Sequence, residues 1–190
     1  MDSKIKELAA KAINRKGISE DDAKSLYEIG KDHPFMVFAY GSEIREHFKD
    51  KKINLCCIIN AKSGICPENC RFCAQSAHYQ TDAPVYSLLS ASEIIKRAQE
   101  AKEWGAHFFS IVTSGTSIGN KKEWNEIYEA IKGINELGIK SCGSLGMLTY
   151  EEALALKNAG LYRYHHNLET SRSYFDNICS THDYQDDIET

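Results

Sequence analysis

The chain has 190 residues, 42% apolar and 26% charged, the balance of a soluble globular protein long enough to bury a real core. A net charge of −4 leaves no basic footprint for nucleic acid or an anionic membrane. No apolar run has the length of a membrane span and the N-terminal stretch is too charged for a secretory signal, so the sequence reads as that of a cytoplasmic protein.

Residues 1–50 carry helical periods and no chemical motif, and are expected to form a helical cap. Ile5, Leu8, Ala9 and Ile13 make an apolar stripe along Lys4–Lys16. Ser19, followed by three acids, is expected to cap a second helix whose apolar face is Ala23, Leu26, Tyr27 and Ile29. Pro34 opens a third helix running to Phe48. From residue 51 short apolar runs alternate with helical stretches. Strands are expected at Ile53–Asn60, His107–Gly115, Ile139–Gly146 and Leu161–Thr170. Helices are expected at Ser90–Gly105, Lys121–Leu137 and from a Thr149 cap to Gly160, with a short one over SRSYFDNIC. This order predicts an α/β fold with a parallel sheet, the first four βα units of a (β/α) TIM-type barrel. Four strands do not close a barrel, and the pattern stops inside a further helix, DYQDDIET. Residues 51–190 are therefore expected to be the first part of a longer barrel.

The seven cysteines are an odd number, and a cytosolic chain keeps its thiols reduced, so clustered cysteines point to metal or redox chemistry. Cys66, Cys70 and Cys73 follow the first strand in a polar loop, spaced C-x-x-x-C-x-x-C. A structural zinc site usually has two ligand pairs, and only His78 lies nearby as a fourth ligand. An iron–sulfur cluster held by three thiolates leaves one iron open for a small molecule. A loop at the C-terminal end of a barrel strand is the catalytic position in such folds.

Cys66, Cys70, Phe72 and Cys73 together resemble the signature of the radical SAM enzymes. That resemblance implies a 4Fe–4S cluster whose open iron chelates S-adenosylmethionine and whose electron releases a 5′-deoxyadenosyl radical, with Phe72 beside the adenine. The stretches CCIINAKSGICPENCRFCAQSA, CGSLGML (Cys142–Leu148) and HHNLETS (His165–Ser171) look more narrowly like the biotin synthase family, over essentially the whole chain. The resemblance implies sulfur insertion into dethiobiotin, with an auxiliary iron–sulfur cluster, 2Fe–2S in the family, as sulfur donor. It also implies an electron donor such as flavodoxin or ferredoxin and a homodimer.

Strand alternation assigns faces to these residues. On the fourth strand Arg163, His165, Asn167 and Glu169 form the more polar set and are expected in the lumen. Asn167 both donates and accepts, which suits a ureido group or a ribose hydroxyl, and Glu169 suits a ribose diol. The resemblance gives Asn167 and Glu169 those roles. Ser114 is expected with them on the cofactor, and His165 with Asn167 on the substrate. His166 is expected to pack against the outer helices. Cys56, Ser110 and Cys142 are expected to meet inside the barrel, and Cys142 matches a family ligand of the auxiliary cluster. Cys57 and Cys179 read as structural.

Two positions depart from the family pattern. Ser110 stands where many relatives have a cysteine, which calls for a different auxiliary cluster or a replacement ligand such as Cys56. Asp187 stands where the family often has an arginine for the methionine carboxylate, which predicts weaker S-adenosylmethionine binding or a compensating cation from elsewhere. The alternatives are another radical enzyme of the subgroup (hydrogenase maturase or methylornithine synthase type), a non-catalytic iron–sulfur or zinc protein, and an inactive remnant.

Overall fold

The computed structural model describes residues 2–190. The chain divides into two compact units, Met1–Ile53 and Asn54–Thr190. The first is helical: α1 (Asp2–Ile13), α2 (Glu20–Asp32) and α3 (Pro34–Lys49). Ser19 caps α2 by accepting the Asp22 N–H at 3.1 Å, and Pro34 sits in the first turn of α3 where its missing N–H costs nothing. Ile5, Leu8 and Ala9 of α1 are buried. The Asp22 carboxylate binds Lys4 at 2.7 Å and Lys11 at 3.0 Å, tying α2 to α1.

The second unit is a parallel sheet in the order β1 (Cys56–Lys62), β2 (Phe108–Thr113), β3 (Lys140–Ser144), β4 (Arg163–Tyr164). Between the strands run α4 (Ala91–Glu103), α5 (Lys121–Glu136) and α6 (Tyr150–Ala159), and a 3-10 helix (Arg172–Asn177) and α7 (Tyr184–Glu189) follow. The helices start where small polar caps stand. Ser90 and Thr149 each form a reciprocal capping box with the glutamate three residues on. α6 ends at Gly160, whose φ of 98° suits glycine.

One face of the sheet buries Phe109 and Ile111 against Ile94, Ala98, Ile127, Ile131 and Ile134 of α4 and α5. Each fully buried isoleucine contributes about 1.5–3 kcal/mol, so this helix-covered face carries most of the unit's stability. The other face presents Ile58, Ser110, Cys142 and Arg163, which are partners in register across the four strands. The β1 pairing is irregular between Asn60 and Lys62, next to the loop that leaves the C-terminal end of β1. Lys62 is fixed there by Glu123 of α5 at 3.0 Å.

Two expected strands shift. β1 begins at Cys56 and not Ile53, because Ile53 and Leu55 are exposed at 75% and 48% and have no pleated surface to cover. The fourth strand is two residues long instead of ten. After Tyr164 the chain turns away from the sheet: Glu169 adopts φ 58° and the Thr170 N–H folds back onto the Leu168 carbonyl.

Candidate metal and cofactor site

The loop after β1 is built to hold three thiols in place. Gly64 (φ 77°) and Ile65 (φ 51°) turn the chain sharply out of the strand, and a Cβ at Gly64 would run into Val85. Cys66 pairs with Gln75 through its N–H (3.0 Å) and with Ala77 through its carbonyl (2.8 Å), which closes residues 66–77 into a ring. Gln75 Oε1 accepts from Ser63 Oγ and the Gly64 N–H. The far side is fastened to the segment after the 3-10 helix: the Arg71 N–H donates to Ile178 at 3.0 Å, and the Asn69 amide donates to Ser180 Oγ at 2.7 Å.

Cys66, Cys70 and Cys73 all line one cavity of about 260 Å³. Asn167, Glu169, His166, His182, Asp187 and Glu68 line it too, and its floor is made by the β2 and β3 ends, including Ser114, Gly115, Ser144 and Gly146. A second depression of about 700 Å³ opens beside it around Gly64 and Val85 and shares Ser114, Gly115 and Thr116. Burial pushes the Cys66 thiol up, and burial with neighbouring Cys179 pushes Cys70 up to about 12. Such thiols stay protonated until a metal displaces the proton. Three sulfur donors on one fastened loop, facing a cavity with other polar donors, fit a cluster with one iron left for a small molecule.

Among the described residues, no arginine or lysine lines the cavity. Two of its three acids face histidines: Asp187, 5% exposed, binds His166 Nε2 through Oδ1 at 3.0 Å, and its Oδ2 lies 3.9 Å from His182 Nε2. Glu68 Oε2 takes His182 Nδ1 at 2.8 Å and also the Thr181 hydroxyl, while its Oε1 accepts from Thr116. Burial raises the Glu68 carboxyl, but the hydroxyls and His182 outweigh it and hold it low. The side chains that face the departing Asp187 are therefore imidazoles.

The other expected site residues fall as follows. Phe72 is 60% exposed and does not line the cavity. Ser114 lines it, with its hydroxyl donating to the Gly64 carbonyl at 2.8 Å. His165 is absent from the lining, and its N–H donates to Gly143 at 2.8 Å. His166 does not pack against the outer helices: the strand has ended two residues earlier, so alternation no longer applies and Asp187 draws its ring into the cavity. Cys142 is fully buried on the sheet face that also carries Ser110 and Cys56, and Cys57 packs on the core side. The Ser110 hydroxyl, 1% exposed, has no hydrogen-bond partner. Two thiols and a hydroxyl do not make up the four ligands of a 2Fe–2S cluster, so the described residues do not by themselves fit that auxiliary group.

Sulfur donors at the C-terminal end of a parallel sheet with helices outside define a class: an α/β domain with a thiolate metal site and an adjoining small-molecule pocket. The radical SAM superfamily model matches residues 61–190, and the chain belongs to that superfamily. Its cofactors are a 4Fe–4S cluster and S-adenosylmethionine. The biotin synthase of Geotalea uraniireducens is 49% identical over 191 residues, which is 100% of this chain and 58% of that protein. That of Geobacter sulfurreducens is 47% identical over 184 residues, covering 96% of this chain and 56% of the relative. The chain thus spans a little over half the length of the curated relatives it matches. The crystal structure of methylornithine synthase shares the fold, with a TM-score of 0.78 at 18% identity over 95% of this chain and 53% of that one.

Proposed function

We propose that the chain carries the radical-initiating part of an enzyme that inserts sulfur into dethiobiotin. The observation that carries this reading is the meeting of the three loop thiols with Asn167 and Glu169 around one cavity. Identity near 50% to biotin synthases across the whole chain supports that substrate over the other substrates of the subgroup. Cys66, Cys70 and Cys73 would hold the 4Fe–4S cluster. When bound, the cluster supplies an open iron and one electron, the chemistry that cleaves S-adenosylmethionine to a 5′-deoxyadenosyl radical.

The chain's own residues do the positioning. Glu169 accepts from a ribose diol, and Asn167 both donates and accepts beside it. Ser114 anchors Gly64, and so aims the start of the cysteine loop. Phe72, exposed next to Cys73, is free to stack on the adenine. On the sheet's open face Cys142 serves as one ligand of an auxiliary iron–sulfur group, with Cys56 as a second thiol on the same face. The acting protein is a cytoplasmic homodimer reduced by a flavodoxin- or ferredoxin-like donor.

The test is anaerobic turnover of the reconstituted, reduced protein. 5′-Deoxyadenosine release that rises when dethiobiotin is added supports the reading. Release that is indifferent to dethiobiotin, in protein that holds the cluster, contradicts it.

A further inference from the structure

Cys179 reads as a packing residue in the sequence, yet the fold brings it across 109 positions to Cys70, with the two Sγ atoms 3.8 Å apart. Two thiolates on one tetrahedral ion, each about 2.3 Å from the metal, stand about 3.8 Å apart. Thiolates on different irons of a cluster each point at their own corner and are held further apart, so Cys179 is not placed as a fourth cluster ligand. His182 Nδ1 lies 3.2 Å from Cys179 Sγ, and the ligand atoms of Cys70, Cys179 and His182 are all within 4.8 Å of one another. Glu68 Oε2, 2.8 Å from the same Nδ1, is not one of these mutually close donors.

A second, independent feature points the same way. Asp187 Oδ2 is buried without a hydrogen-bond partner, 3.9 Å from His182 Nε2. A metal on Nδ1 fixes the ring proton on Nε2, the nitrogen that faces this carboxylate.

We propose that Cys70, Cys179 and His182, with a water as fourth ligand, form a mononuclear site for a borderline divalent cation, of the zinc or ferrous class. Binding releases the two thiol protons to solvent and involves no electron transfer. Cys70 belongs to both sites, so one chain holds either this ion or a cluster on the three-cysteine loop. The site does not depend on which reaction the protein catalyses.

The test is zinc added to the reduced, metal-free full chain, with X-ray absorption to count its ligands. Two sulfurs and two nitrogen or oxygen donors are expected, and three sulfurs, the signature of the loop alone, would overturn the assignment. Zinc affinity against a competing chelator is then compared in folded variants. Cys179→Ala is expected to bind at least tenfold more weakly, and the double variant Cys66→Ala, Cys73→Ala to keep the wild-type ligand count. Unchanged affinity in the first or lost binding in the second contradicts the proposal.

Discussion

Asp187 keeps its carboxylate buried because His166 meets one oxygen at 3.0 Å. Removing one partner of a buried pair strands the other. His166→Ala is therefore expected to cost about 3 kcal/mol, and about 1 kcal/mol when Asp187 is already asparagine. Urea unfolding of the double-mutant cycle reads this, and equal costs in both backgrounds would show the pair is not coupled. Ser110 is the opposite case. Its buried hydroxyl has no partner, which costs about 1–3 kcal/mol, so Ser110→Ala is expected to stabilise the protein by about 1 kcal/mol. For a chain of this size that is a Tm rise of about 2–4 °C, and a fall would mean the hydroxyl is satisfied in solution. At this scale the sequence reveals local spacing and little else. Cys66, Cys70 and Cys73 announce themselves because they sit within eight residues of one another. Cys179 and His182 do not, since Cys179 meets Cys70 only after 109 intervening steps and His182 meets Glu68 after 114.

The strands and helices that alternate in the sheet unit were legible from hydrophobic period and from caps such as Ser90, Thr149 and Gly160. The fourth strand was not. RYHHNLET alternates like a pleated strand, but the regular pairing ends at Tyr164, and the Asp187 that meets His166 beyond it comes from α7. The turn after β3 positions the cavity floor. Gly146 there has φ 86°, and an added Cβ would meet the Thr116 carbonyl oxygen that accepts the Met147 N–H at 2.7 Å. Gly146→Ala is expected to cost at least about 2 kcal/mol from the left-handed backbone and the collision together, read as a lower urea midpoint. In the helical unit, hydrogen bonds from Lys4 and Lys11 hold the Asp22 carboxyl well below the usual range. A carboxyl lowered on folding adds stability above its unfolded value, about 3.9, and loses it as pH falls through the folded value. Helicity of residues 2–49 is thus expected to melt more easily as pH drops below about 4, and Asp22→Asn to flatten that acid limb. An acid limb as steep in the variant as in wild type would assign it to other groups.

At the scale of the molecule, a helical unit and a four-stranded parallel sheet with one helix-covered face are what the alternating pattern implied. The open face, with Cys142 and Ser110 buried and Ile58 69% exposed, is the surface where the reading of a substrate lumen stands. The superfamily match rests on residues 61–190, and the cluster loop and its cavity lie inside that span. The central claim is that this cavity holds a three-thiolate cluster with an iron open to S-adenosylmethionine. Electron paramagnetic resonance of the anaerobically reconstituted, reduced chain, with and without S-adenosylmethionine, tests it most directly. A 4Fe–4S signal that changes on adding the ligand and disappears in Cys70→Ala is the predicted result. A cluster signal indifferent to the ligand would contradict the account.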